Sequence, residues 1–419
     1  MTEKKIAGWW PRIVFWAFAV GMLLYGLWIN HLWASEDRWA EIAREMLLTG
    51  DWFHPAINGE VYFDKPLLSY WPIVIFAKIC GVLNEFIVRL PSALSALIAL
   101  YCTRYLAEKL WNKRVANAAG WLLLTSLGFL FWGRTAAADM MNLAAVIMAV
   151  AWFFHCKDHA KFHHYLIFWI ICFGGALTKG LPALVIPPLL VAVYLYMAGE
   201  LKKHIRVSHV IALVIGGGLY LATFFIASAT PMPEGFISPD SGLNGIELVW
   251  RENVVRVFNP FDHDDEPFFT YFIHMPRIMA PWSLLMIAAI VAVVMRWKSL
   301  ALNTRWLLIV NAAIFVMFSA SGSRRWYYIL PIMPFMTILL AQYIAGGPKF
   351  PWRRLMARLY ALAVWIVCVT GIVGIAVLVV LMQLKVEQVP EKLHSLFYSF
   401  KALPGTVLWA MPVAALEAL

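Results

Sequence analysis

Residues 35–71 read SEDRWAEIAREMLLTGDWFHPAINGEVYFDKPLLSYW, a stretch rich in side chains that could do chemistry. A carboxylate close to a bilayer surface can take the proton of a bound hydroxyl or amine and so act as a general base. Glu36 and Asp37 open a segment, residues 36–48, in which Trp39, Ile42, Met46 and Leu47 recur at roughly helical spacing. Ser35 stands where an N-cap belongs, with Arg38 where a glutamate would complete a capping box. The first helical turn favours carboxylates through the helix dipole, so plain capping is the other reading of Glu36 and Asp37.

Further along, RTAAADMMN (134–142) carries Asp139 at the outer end of an apolar segment, near Arg134. It is either an acid of the site or the partner of that arginine. LTKGLP carries Lys179 in a short turn. An interfacial lysine usually snorkels to water, and the same ammonium also suits a lipid phosphate. SGSRRWYYILP (321–331) places Arg324 and Arg325 beside Tyr327 and Tyr328. Arginine donors match phosphate oxygens; pairing with the acidic loops is the plainer account of the arginines, and an aromatic belt that of the tyrosines. His263, in DHDDE (262–266), could bind a metal with Asp64, although the spacing matches no compact zinc motif and an exposed histidine is the simpler reading. Trp282, after His274, Arg277 and Pro281, marks the interface end of the next apolar segment.

The elements that must position these residues are membrane helices. The chain has 419 residues, of which 62% are hydrophobic and 14% charged, and a mean hydropathy of +0.73. A soluble protein carries about 25% charged residues. A soluble fold could not bury so much apolar surface under so few charges. The net charge of +10 is no argument for nucleic acid, because the basic residues sit in short clusters between apolar segments. The five cysteines form no CxxC pair or ligand cluster, which excludes a zinc finger and indicates no disulfide framework.

Apolar segments at 10–27, 87–106, 115–133, 140–156, 162–177, 181–199, 207–228, 280–295, 305–320, 326–345, 357–382 and 403–419 predict an all-α bundle of about twelve spans. Residues 67–83 are apolar enough to make another, but a span there would put Lys109, Lys113, Arg114, Lys202 and Lys203 outside. The positive-inside bias therefore makes 67–83 an interfacial or re-entrant helix, with the N-terminus cytoplasmic. This topology leaves two large outer loops. The first, 31–66, extends to 86 with its interfacial helices; its residues 31–66 hold seven carboxylates and three cations, net −4. The second, 229–279, is rich in proline and has an Asn244-Gly245 turn signal. With no soluble domain or linear repeat in view, residues 1–419 read as one membrane-embedded domain.

Taken in order, EDRWAEIAREMLLTGDW (36–52), INGEVYFDKPLLSYW (57–71), RTAAADMM (134–141), LTKGLPAL (177–184), the DHDDEPFF region (262–269) and RRWYYILP (324–331) resemble the bacterial lipid-linked sugar glycosyltransferases of the GT-C type. They are most similar to the 4-amino-4-deoxy-L-arabinose transferases that modify lipid A, and more distantly to protein O-mannosyltransferases. The resemblance implies an undecaprenyl-phosphate-type carrier bearing one sugar, transferred with inversion to a lipid A or other cell-envelope acceptor at the outer face of the inner membrane. It implies Lys179 and Tyr328 on the donor phosphate with Arg324 and Arg325 nearby, Asp139 as a second acidic position, and a divalent metal such as zinc on Asp64, with His263 as its partner. No nucleotide cofactor or nucleic acid is expected, and a monomer among membrane lipids is.

The sequence departs from that pattern twice. The family opens the first loop with an Asp-Glu pair, whereas Ser35 holds the Asp position here, Glu36 keeps the second and Asp37 follows. Asp37 is then the expected base and Glu36 the second choice. The family's C-terminal extramembrane domain is also not seen before Leu419. Sugar transfer to protein or another glycan shares the donor chemistry. The rival from another class, a lipid-linked sugar transporter or flippase, would call for polar groups at mid-membrane or broken helices.

Overall fold

The structure, a computed structural model, describes residues 10–33, 35–63, 65–237 and 266–345, with six further helical positions between 355 and 369. The chain divides into two compact units, Met1–Pro348 and Lys349–Leu419, and the first holds the helical bundle.

Helix α1 covers Trp10–Leu24 and α2 Glu36–Thr49. A two-stranded hairpin comes next, β1 (Ala56–Ile57) and β2 (Glu60–Val61), then a 3₁₀ turn at Leu67–Ser69 and α3, Trp71–Cys80. The bundle continues with α4 (Glu85–Leu110), α5 (Lys113–Leu124), α6 (Leu127–Gly133), α7 (Ala138–Cys156), α8 (Phe162–Lys179), α9 (Pro182–Met197), the short α10 (Leu201–His204) and α11 (Val207–Ala229). After the second large loop come α12 (Thr270–Ile278), α13 (Ser283–Met295), α14 (Leu302–Ala320) and α15 (Met333–Ala345).

Four of the described helices are long and apolar enough to cross a membrane, or six if each of two bent pairs counts as one span. Of the twelve expected spans, 403–419 lies outside the described residues and 357–382 almost wholly so, and the described residues do not test the count. Helix α3 is ten residues long, about 15 Å, which is half the hydrocarbon thickness. It packs beside α2 through Trp39, Ile42, Met46, Ile73 and Val74, so the two form one apolar layer under the first loop.

The centre is α7, with 15 of its 19 residues buried. It packs against α4, α8 and α9. Gly175 makes this closeness possible: a Cβ there would lie 2.5 Å from the Ala145 Cβ and 2.6 Å from the Ala183 Cβ. Small residues let membrane helices approach in this way. By contrast α11 turns an apolar stripe outward, with Val207, Val210, Val214 and Leu219 exposed.

The segment 115–133, expected as one helix, is bent by 66° between α5 and α6, and α12 and α13 meet at 115°. The hydroxyls of Thr125 and Ser126 donate to the Trp121 and Leu122 carbonyls at 2.7 and 2.6 Å, a back-bonding that bends helices. The freed Leu127 N–H donates to the Ala280 carbonyl at 2.8 Å, and Trp282 Nε1 donates to Thr125 Oγ1 at 3.0 Å. Each break therefore satisfies the other's backbone. These are broken helices of the sort a transporter uses, but their bonds here close on one another.

Candidate functional site

One end of the bundle is organised by a residue that the motifs did not single out. Arg89, in the first turn of α4, is 4% exposed, and Glu36 is fully buried against it. Arg89 Nη2 lies 2.6 Å from Glu36 Oε2 and Nε lies 3.0 Å from Oε1. The same guanidinium donates to the carbonyls of Leu27, Asn30 and His31 at 2.7, 2.8 and 3.0 Å, just past the end of α1. Glu36 also accepts from the Ala136 N–H at 2.7 Å and the Trp33 N–H at 3.3 Å. Both its oxygens are thus occupied, and its pairing meets the demand that a buried charge be matched and hydrogen-bonded. The signal in the sequence was an arginine three residues into an apolar span, which is costly unless paired.

This clamp places the acids. Ala136 precedes Asp139 by three residues and Asp37 follows Glu36, so both candidate carboxylates lie at one end of the bundle. Ser92, one turn after Arg89, pins the same loop by donating to the Ala137 carbonyl at 3.1 Å. Asp37 is exposed. Its neighbour Arg38 donates to the Tyr62 hydroxyl at 2.7 Å, tying α2 to the segment after the hairpin. The hairpin turns on Asn58 (φ 53°) and Gly59 (φ 78°), the left-handed pair that a tight type I′ turn requires. Gly59 and Val61 then exchange backbone bonds with Ile237 at 2.9 and 2.8 Å, joining the first large loop to the start of the second.

Asp139 does not pair with Arg134, one of the two readings of its motif. Arg134 donates instead to the Met22 carbonyl at 2.6 Å, and Asp139 is ion-paired with Lys179. The cause is helix packing: the first turn of α7 lies against the last turn of α8. The dipoles favour an anion at the former and a cation at the latter. Both side chains are largely buried. The Lys179 ammonium lies 4.0 Å from the Tyr328 ring centroid and 5.1 Å from that of Tyr327, within cation–π range.

Tyr327 stacks at 4.3 Å on Trp132, which also approaches Trp326 at 5.8 Å. Trp132 Nε1 and His274 Nδ1, on either side of this aromatic cluster, are buried with no hydrogen-bond partner among the described residues. Arg324 donates through Nε to the Glu266 carbonyl at 2.8 Å and through Nη1 to the Ser321 carbonyl at 2.6 Å, so it braces the segment bearing the tyrosines. Arg325 is half-buried beside it. Lys179, Tyr327 and Tyr328 are therefore brought together with Asp139. Asp64 and His263 lie outside the described residues. Among the described residues no group of three or more histidine, cysteine or acidic side chains is arranged to hold a metal.

The fold has counterparts. The structure of ArnT from Cupriavidus metallidurans bound to undecaprenyl phosphate superposes with a TM-score of 0.68 at 21% identity, covering 98% of this chain and 75% of that one. The Archaeoglobus fulgidus oligosaccharyltransferase in the apo form gives 0.57 at 14%, covering 86% and 55%. The chain shares the fold of these two structures. A family model described as dolichyl-phosphate-mannose-protein mannosyltransferase matches residues 64–226. An undecaprenyl phosphate-alpha-4-amino-4-deoxy-L-arabinose arabinosyl transferase of Pseudomonas fluorescens is 29% identical over 78% of this chain and 55% of its own length. A protein of that name from Shewanella sediminis is 29% identical over 79% and 59%. The chain spans less than two thirds of these two relatives. It resembles polyprenyl-phosphate-sugar glycosyltransferases, the aminoarabinose transferases together with the protein mannosyltransferases.

Proposed function

We propose that this chain is an inverting glycosyltransferase. It moves a sugar from an undecaprenyl-phosphate-type carrier to lipid A or another cell-envelope acceptor at the outer face of the bacterial inner membrane. The observation that supports this most is the Asp139–Lys179 pair under Tyr328, set at the same end of the bundle as Asp37. An acidic group and a cation beside one another are what displacement at a sugar–phosphate bond requires.

In this reading the acceptor oxygen or nitrogen attacks the anomeric carbon from the face opposite the phosphate, the carbon–oxygen bond to the carrier breaks, and the acceptor proton passes to Asp37. Glu36 is left to Arg89 as a positioning residue, since freeing it would expose a buried guanidinium. Lys179, with Tyr328 beside it and Arg324 and Arg325 on the segment that bears Tyr328, offsets the charge that collects on the departing phosphate. Asp139 holds Lys179 and forms the second acidic wall. Trp132 Nε1 and His274 Nδ1 supply polar atoms that suit sugar hydroxyls. A divalent metal on Asp64 and His263 belongs to the same proposal. The family match to protein mannosyltransferases favours a protein acceptor as the second reading.

The test is transfer by the purified chain from undecaprenyl-phosphate-linked sugars to a panel of lipid A, glycan and peptide acceptors. Asp37→Asn is expected to lower turnover by about 10²–10⁴-fold, with the Tm in detergent unchanged. Lys179→Met is expected to raise the KM for the donor. Wild-type turnover in Asp37→Asn would remove that residue, and no transfer in any pairing would remove the reading.

A further inference from the structure

A pocket of about 390 Å³ opens at the other end of the bundle. Helix α7 runs from Asp139 to Cys156 and α8 returns from Phe162 to Lys179. The connection between them therefore lies about 27 Å from the acidic site, the length of the helices. This connection and α10 line the pocket, which holds Lys157, Lys161, Lys203 and Arg206 against Asp158 and Glu200.

The two carboxylates are already used. Lys157 Nζ lies 2.8 Å from Asp158 and 3.4 Å from Glu200, and Lys203 Nζ lies 3.1 Å from Glu200. Lys161 and Arg206 have no carboxylate partner among the described residues, which leaves a surplus of two positive charges facing one cavity. Lys161 and Arg206 also sit immediately before α8 and α11, and the first turns of those long helices add potential of the same sign. The inner wall is built: His204 is 6% exposed, and its Nδ1 is 3.0 Å from the Tyr165 hydroxyl. From Arg206, the exposed apolar stripe Val207, Val210 and Val214 leads away along α11.

We propose that this pocket binds a phosphate-bearing anion, with the phosphate between Lys161 and Arg206. Anionic phospholipid is the source that the surroundings favour, because the stripe on α11 gives an acyl chain an apolar track starting at the pocket. Basic pockets between membrane helices bind acidic head groups in this way. The site requires only that the bundle sits in a bilayer, and it is independent of sugar transfer.

Native mass spectrometry of the full chain in detergent tests this, with phosphatidylglycerol, phosphatidylcholine or inorganic phosphate added separately. Phosphatidylglycerol is expected to be retained over phosphatidylcholine. The double variant Lys161→Gln/Arg206→Gln should weaken that retention roughly tenfold to thirtyfold. The exposed pair Lys113→Gln/Arg114→Gln, also basic, should change it less than twofold. Competition by millimolar phosphate would support the site and assign it to small anions; retention without competition supports the lipid. Equal loss in both double variants, or no loss in either, would overturn the pocket. Gel filtration checks that the variants are folded, and the charge-keeping Lys161→Arg/Arg206→Lys should bind as the wild type does.

Discussion

Two adjacent carboxylates, Glu36 and Asp37, have opposite environments, and their variants should separate cleanly. Glu36→Gln leaves Arg89 buried without its counter-charge, which costs about 3–5 kcal/mol. A lowered Tm in detergent is the readout, and an unchanged Tm would mean that Arg89 finds another acceptor. Asp37 is exposed, and its change should appear in turnover alone. Adjacent helix positions differ by about 100°, so which residue faced inward needed the structure. The spacing of Trp39, Ile42, Met46 and Leu47 defined the apolar face; the first three are buried and Leu47 is half-buried. It gave no sign that the first-turn glutamate would be claimed by a residue 53 positions away. Asp139 was legible as an acid at a helix end, whereas its partner was not, because Lys179 is 40 residues distant and Arg134 was the nearer choice along the chain.

Helices were legible wherever an apolar run continues unbroken, and less so where side chains break them. The hydroxyls at Thr125 and Ser126 and the approach of Gly128 to Ile278 are tertiary matters. A Cβ on Gly128 would meet the Ile278 Cγ2 at 2.4 Å, a constraint with no periodic trace. Gly175 is similar, and it carries a prediction. Gly175→Val should overpack α7 against α8 and α9 at a cost of about 1–3 kcal/mol. Because Lys179 is one turn further on, the KM for the donor should rise as well; a lowered Tm with an unaltered KM would show that α8 moves as a rigid rod. In the α10 turn, burial first and then the charges of His209 and Arg206 hold the His204 imidazole below its ordinary range. Glu200 and Lys157, which act in opposite directions, and the Tyr165 hydroxyl complete its surroundings. The unfolded chain therefore takes up the proton first, and stability should fall as pH drops below about 6.5. A Tm measured from pH 7.5 to 5 should decline, and less so in His204→Gln.

At the scale of the whole molecule, the Asp139–Lys179 pair and the basic pocket are separated by the length of α7 and α8. The charge clusters read from the sequence carry the orientation: acidic residues around Glu41, basic residues around Lys161. Single cysteines at Glu41→Cys and Lys161→Cys in a background cleared of accessible thiols should react with a membrane-impermeant reagent from opposite sides. Glu41→Cys should label in spheroplasts and Lys161→Cys in inverted vesicles. Labelling of both from one side would refute the arrangement of α7 and α8 across the bilayer.

The Arg89 clamp also bears on the order in which the protein can be made. Its guanidinium closes the carbonyls of Leu27, Asn30 and His31, and with Glu36 it reaches the Ala136 N–H. A ribosome delivers α1 and α2 well before Arg89, and residue 136 later still. The linker after the first helix must therefore emerge with its polar backbone unsealed and wait for the fourth helix to enter the membrane. Nascent chains halted before position 89 should be cut by protease between residues 27 and 36, whereas chains halted well beyond 136 should be protected there. The buried ion pair is in that sense a latch set by synthesis, closing this end of the bundle only after the helices that carry it have been threaded.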